Sequence, residues 1–303
     1  MSAIKLRPHQ TIGFIGLGMM GSRMVHHLKD YASLIIFDAD TQRTAEIAKT
    51  SGATAAKSLQ DFKSADVVIL MLPNSAIIDV LVKGNGQQPG LLAVLQEGSL
   101  ILDMSSATPA NSIANALEAA KKGIAYVDAP VSGGPAGAES GKLAIMVGCE
   151  PEHFVLIEPL LNRMGANVVR TGEVGSGHAV KALNNLLAAT ILQASGEIFA
   201  AGEKFGLDPA VMQKVISASS GGSFMTSVAW PKAVLGKTWD FGFSLALMTK
   251  DVGIGMSIID SSGVDAPLCK TNAQIWSAAN QAGMGQKDMT QVVKSIRDQA
   301  GLS

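Results

Sequence analysis

Gly16-Leu17-Gly18-Met19-Met20-Gly21 follows a short apolar run, Thr11–Ile15, and opens a stretch of helical spacing, Met19–Lys29. A second apolar run, Ser33–Phe37, comes next and ends at Asp38. Three glycines alone would say little. In the order strand, glycine loop, helix, strand and acid they call for a βαβ crossover. Gly16 permits a tight turn, Gly18 keeps the backbone open, and Gly21 lets the helix lie close to the strand.

The alternation continues. A helical stretch, 41–50, is followed by apolar runs at 66–71 and 100–102, a helical pattern at 109–121 and another run at 124–127. Runs at 143–147 and 167–169 look like later strands, with a helix opening near Pro151 between them. Short apolar runs separated by ten-residue helical patterns indicate a parallel sheet with helices on both faces. The pattern changes near Gly172. From Ser176 onward only helical periodicity is found, over about 178–205, 209–218, 244–261, 267–282 and 288–299. Asp208-Pro209 is a helix start, with the acid as cap and proline at the first helical position. The expected architecture is a doubly wound, mostly parallel Rossmann domain over 1–172. A long interdomain helix joins it to an all-α domain, and together these occupy 173–303.

Composition narrows the partners. The 303 residues carry a net charge of −1 with no block of one sign, which argues against a nucleic-acid or anionic-membrane partner. No uninterrupted apolar stretch reaches the roughly 18 residues of a membrane span. Lys5, Arg7 and His9 before an apolar run resemble the start of a signal peptide, but no small-residue cleavage site follows. Cys149 and Cys269 are far apart and lack metal-ligand spacing, so two thiols in a reducing compartment are expected. No metal site is expected. A cytoplasmic enzyme is the compositional expectation.

In its βαβ context the glycine loop is a dinucleotide cradle: backbone N–H groups and a helix N-terminus face the pyrophosphate. Leu17, Met19 and Met20 belong to the same loop. Asp38 would accept the ribose hydroxyls and repel a 2′-phosphate, which favours NAD over NADP; Arg43 is read as a solvated helix residue. Leu72, Pro73 and Asn74 follow the run at 66–71, and Ser106 follows the next. Strand ends of this kind line the ligand crevice, so contacts with the dinucleotide and its nicotinamide side are one reading. Plain turns and helix caps are an equal one. Ser132-Gly133-Gly134 lies in a glycine-rich stretch, 128–141, whose exposed N–H groups could nest a carboxylate; a mobile loop is the equal alternative.

Lys181 interrupts the apolar start of the long helix, and Asn184 and Asn185 fall on its face one turn later. No other charge occurs before Glu197. A buried lysine needs a use. Hydride chemistry at an alcohol needs a proton acceptor, and burial with a helix N-terminus would lower a lysine pKa toward that task. The competing reading is a lysine reaching solvent along its stem, with the asparagines bonding loop backbone.

Four motifs in order resemble the β-hydroxyacid dehydrogenase family, the 3-hydroxyisobutyrate dehydrogenase-like group. They are Gly-Phe-Ile-Gly-Leu-Gly-Met-Met-Gly (13–21), Asp-Ala-Pro-Val-Ser-Gly-Gly (128–134), Gly-Ser-Gly-His-Ala-Val-Lys-Ala-Leu-Asn-Asn (175–185) and Lys250-Asp251. The resemblance spans nearly the whole chain. It implies that Lys181 is the catalytic acid/base and that Asn185 positions substrate. It implies that Ser132, Gly133 and Gly134 hold the substrate carboxylate, that Ser106 lies near the nicotinamide, and that Lys250 closes over the site. It further implies homodimers or homotetramers.

His26-His27 and Met-Val-Gly-Cys149 depart from the common pattern without touching a catalytic position. Both histidines are read as surface residues. Lys181 also argues against the family's imine-reducing relatives. The expected activity is NAD-dependent oxidation of a small β-hydroxy acid. A semialdehyde reductase and a non-catalytic nucleotide sensor are the competing readings. Phe224, Trp230, Trp239, Phe241 and Phe243 are expected mainly in packing.

Overall fold

The computed structural model describes residues 10–302; Lys5, Arg7 and His9 lie outside the described residues. The chain packs as two compact units, one ending at Lys181 and the other beginning at Ala182.

The first unit contains β1 (Thr11–Ile15), α1 (Gly21–Met24), β2 (Ser33–Phe37), α2 (Thr41–Ser51), β3 (Thr54–Ala55), β4 (Val67–Leu70), α3 (Ser75–Lys83), α4 (Leu91–Val94), β5 (Leu100–Asp103) and α5 (Pro109–Ala120). It continues with β6 (Ala125–Asp128), β7 (Val131–Ser132), α6 (Gly134–Ser140), β8 (Leu143–Gly148), α7 (Pro151–Leu161), β9 (Gly165–Gly172) and the start of α8 (Ser176–Phe205). The sheet order is β3-β2-β1-β4-β5-β6-β8-β7, with β9 also on β8. From β3 to β6 every pairing is parallel. The antiparallel pairings are those of β8 with β6 and β7. The strand order reverses between β1 and β4, the place where a doubly wound sheet opens a crevice at its carboxyl ends.

Strand side chains alternate between two cores. Ile12, Phe14, Val67, Ile69, Leu100 and Leu102 enter one. Ile15, Val68, Leu70 and Ile101 enter the other. Burial on both faces explains why these strands read as continuous apolar runs.

The second unit is helical: the rest of α8, then α9 (Pro209–Ser217), α10 (Leu245–Ser262), α11 (Pro267–Ala279) and α12 (Gln291–Gln299). Its core gathers Leu186, Leu192, Phe199, Trp230, Met248, Trp276 and Val293. Gly255 brings α10 close to α8, since a Cβ there would stand 3.0 Å from the Ala182 carbonyl and from Leu186.

Several elements differ from expectation. Only Gly21–Met24 of the first helical stretch is α-helical, and Val25–Leu28 tightens into a 3₁₀ turn. The glycine-rich stretch read as a loop contains α6, despite a composition that disfavours helix. His27 Nε2 meets the Ala138 carbonyl at 2.8 Å, and Arg23 pairs with Glu139 at 3.1 Å, so α6 is tied down at its far end. His27 is therefore half-buried and bonded rather than a plain surface residue. Helix α3 and the two-residue edge strand β3 add to the elements expected from periodicity. Met225–Leu235 winds as a π-helix around Pro231, a residue that cannot donate to an α-helical ladder. Among the described residues no helix is long and apolar enough to cross a membrane.

Candidate active site

The glycine loop is built as its spacing requires. Gly16 has φ 99°, a left-handed value that other residues avoid. Its N–H donates to the Phe37 carbonyl at 2.9 Å. Its own carbonyl oxygen stands where a Cβ on Gly21 would go. A Cβ on Gly18 would meet nothing within 4 Å, so the backbone there is open to a ligand. Among the described residues, none accepts a hydrogen bond from the N–H groups of Gly18, Met19 or Met20. The Leu17 side chain is buried in the core, Met19 is exposed and Met20 is half-buried. Open N–H groups on an uncovered backbone fit an anionic pyrophosphate.

Asp38 is fixed from two sides. Its Oδ2 accepts the Leu17 N–H at 2.7 Å and its Oδ1 accepts the Asp40 N–H at 2.9 Å. Arg43 is not simply solvated: it pairs with Asp38 at 3.4 Å and with Asp40 at 3.2 Å. The carboxylate is thereby oriented with lone pairs to spare for ribose hydroxyls.

At the ends of β4 and β5 the chain is cross-linked. The Leu72 N–H donates to Ser105 Oγ at 2.9 Å, and the Ser105 N–H donates to Asp103 Oδ1 at 3.1 Å. Leu72 and Ser106 are half-buried and Pro73 is exposed. The Asn74 side chain caps α3 by accepting the Ile77 N–H at 3.0 Å, which is a structural use.

Ser132 pairs with Ala144 in the short β7–β8 ladder. Gly133 (φ 128°) and Gly134 (φ 62°) then turn the chain into α6, whose start carries no side-chain cap. The stretch read as a carboxylate nest is thus partly a helix N-terminus.

The start of α8 is held by residues that sequence reading passed over. The Asp128 carboxylate accepts the Gly175 N–H at 2.6 Å and the His178 N–H at 2.8 Å. Burial pushes the Asp128 carboxyl up, while His178 and the two N–H donors pull the other way. The His178 ring meets Ser112 Oγ at 2.7 Å and the Ser105 carbonyl at 3.1 Å. Tyr126 donates to Asp103 at 2.8 Å in the same buried layer. Burial and the Asp103 carboxylate hold the Tyr126 phenol well above its usual range. One turn after His178 stands Lys181, half-buried.

In the second unit Asn185 is buried, whereas Asn184 is exposed and donates to Asn185 Oδ1 at 3.1 Å. Asn185 Nδ2 donates to Asp251 Oδ2 at 2.6 Å, and Asp251 Oδ1 meets Lys250 Nζ at 3.4 Å. Asp251 is 1% exposed, so the Lys250-Asp251 pair is not a solvated helix pair. Trp230 is buried against Phe199 at 4.2 Å between ring centroids, while Phe224 is exposed and edge-on to Phe241. Trp239, Phe241 and Phe243 pack on the core, as expected of structural aromatics.

Comparison with known proteins gives this arrangement a family. Residues 11–172 match the model for the NAD binding domain of 6-phosphogluconate dehydrogenase. Residues 175–296 match the model for the NAD-binding region of NADP-dependent 3-hydroxyisobutyrate dehydrogenase. The chain is 36% identical to 2-(hydroxymethyl)glutarate dehydrogenase of Eubacterium barkeri over 96% of each protein. It is 34% identical to NAD-dependent L-serine dehydrogenase of Pseudomonas aeruginosa over 94% of this chain and 97% of that one. The solved structure of Mycobacterium tuberculosis 3-hydroxyisobutyrate dehydrogenase with L-serine superposes with a TM-score of 0.86 at 29% identity, covering 96% of this chain and 100% of that one. The chain belongs to the β-hydroxyacid dehydrogenase family and is an NAD(P)-dependent hydroxyacid dehydrogenase acting on a small hydroxyacid.

Proposed function

We propose that the enzyme oxidises a small β-hydroxy acid of the 3-hydroxyisobutyrate type with NAD, using Lys181 as the proton acceptor. The observation that carries this reading is the anchoring of the Lys181 helix. Its first turn is bonded to Asp128 at the end of β6 and to Ser105 just beyond β5, on the sheet edge that also carries the glycine loop. 3-Hydroxyisobutyrate, L-serine and 2-(hydroxymethyl)glutarate all carry a hydroxymethyl group one carbon from a carboxylate, and relatives are named for each.

Bound NAD supplies the hydride acceptor. Gly16, Leu17, Gly18, Met19, Met20 and Gly21 cradle its pyrophosphate, with Leu17 acting through the Asp38 bond, and Asp38 holds the ribose. Leu72, Pro73 and Asn74 line the dinucleotide, and Ser106 lies on the nicotinamide side. Ser132, Gly133 and Gly134 bind the substrate carboxylate, which fixes the carbon that loses hydride. Neutral Lys181 takes the hydroxyl proton as the carbonyl forms, and in reduction its ammonium returns that proton. Asn185 holds the substrate oxygen, and Lys250 closes over cofactor and substrate. The functional division is a nucleotide domain over 1–172 and a substrate and assembly domain over 173–303. The two unpaired thiols suit a cytoplasmic setting.

Exposed apolar residues on α8 and α9, among them Leu187, Ile198, Phe205, Val211 and Val215, support a homodimer or homotetramer built through the helical unit. Sedimentation of the purified protein tests this: a monomer at micromolar concentration overturns it.

The test of the reaction is Lys181→Ala, assayed with a panel of β-hydroxy acids. Turnover should fall at least about 100-fold while NADH still binds. Near-normal turnover would refute the role of Lys181.

A further inference from the structure

The motif that carries Lys181 also contains His178, which the reaction above does not use. We propose that His178 is a positioning residue, its ring held between Ser105 and Ser112, that sets Lys181 against the loop after β5. This rests on Lys181 being the proton acceptor.

The Ser105 carbonyl can only accept, so Nε2 carries the proton and donates to it at 3.1 Å. Nδ1 meets the Ser112 hydroxyl at 2.7 Å and lies 3.7 Å from Asp128 Oδ2. His178 is 1% exposed, Ser112 is 0% and Ser105 is 2%, so no solvent competes for these bonds. The ring therefore pins the first turn of α8 to α5 and to the loop after β5 at once. Ser105 extends the same grip to Leu72 through its hydroxyl. The Asp128 bonds hold the backbone of this turn, Ser176 Oγ meets Thr171 Oγ1 at 2.7 Å, and a Cβ on Gly177 would meet the Met146 carbonyl. The His178 ring adds the side-chain tie from this turn to α5 and to the loop after β5, and Lys181 lies one turn further on. A proton acceptor must stand within hydrogen-bond reach of the hydroxyl, and small misplacements are costly.

The experiment compares His178→Ala, His178→Gln and Ser112→Ala with the parent and with Lys181→Ala. Gln keeps a donor near the Nε2 position. His178→Ala should lower kcat roughly 10- to 100-fold, with NADH affinity within about twofold of the parent. His178→Gln should recover most of that loss, and Ser112→Ala should lower kcat by a smaller factor. Parent-like kcat in a folded His178→Ala protein overturns the proposal, as does a parallel loss of NADH binding. If His178→Ala does not fold, the other two variants decide: parent-like kcat in Ser112→Ala, or no activity in folded His178→Gln, overturns it. Near-normal turnover in Lys181→Ala would instead overturn the proton-acceptor assignment, whatever the His178 variants do.

Discussion

Asp128 closes the first turn of the helix that carries Lys181 by accepting the His178 N–H at 2.8 Å from 50 residues away in sequence. The same carboxylate takes the Gly175 N–H. Removing it would leave two buried donors unpaired. Asp128→Ala should therefore destabilise the protein by about 2–3 kcal/mol, read as a lower thermal midpoint. An unchanged midpoint would show that water or another group replaces the cap.

Cofactor choice should follow Asp38. The carboxylate is oriented by Leu17 and Asp40, and it also holds Arg43. Asp38→Ser removes the repulsion toward a 2′-phosphate and loosens Arg43 for contact with it. The ratio of kcat/KM for NADP over NAD should rise by at least roughly tenfold. The parent should prefer NAD. A parent preference for NADP would contradict the role given to Asp38.

Asp251 should act through Asn185. Asp251→Ala frees the amide to rotate and leaves its Nδ2 without the carboxylate partner. KM for the hydroxy acid should rise about tenfold with little change in NADH affinity, a cost in the range of one charge-assisted hydrogen bond. Equal losses for substrate and cofactor would point to general disruption of the helical unit.

The two thiols should differ. Cys149 is buried, and burial pushes its thiol up to about 12, whereas Cys269 is half-buried. At pH 8 the Cys149 thiolate is a minute fraction, and the thiolate is the reactive form. A disulfide exchange reagent should label Cys269 in the native protein and reach Cys149 only after denaturation. The sign of the stability effect follows from the raised value. Protonated Cys149 favours the folded state, a contribution complete below about pH 9 and lost as pH rises toward 12. Rapid native labelling at Cys149 would contradict its burial.

Much of the first unit was legible because its signals are local. The runs at β1 and β2 have the expected ends, and the glycine loop sits between them as the spacing requires. Lys181 and Asn185 stood out because charge and amide are rare in that helix. What periodicity could not show is tertiary. Asp128 looked like the start of a loop, because its donors lie 47 and 50 residues further on. Asp251 meets Asn185 across 66 residues. Helix α6 was hidden by its glycines and proline, and it persists because His27 and Arg23 reach it from elsewhere in the chain. The π-helical winding at Pro231 has no sequence period of its own.

The distance along the chain between Asp128 and its donors also sets an order of events. The middle of α8 can wind from local hydrogen bonds, but the turn before Lys181 closes only once β6 has joined the sheet. In refolding followed by pulse labelling, the His178 amide should become protected together with the β6 amides and after those near Leu192. The turn before Lys181 would then form late, after the parallel strands up to β6 have paired.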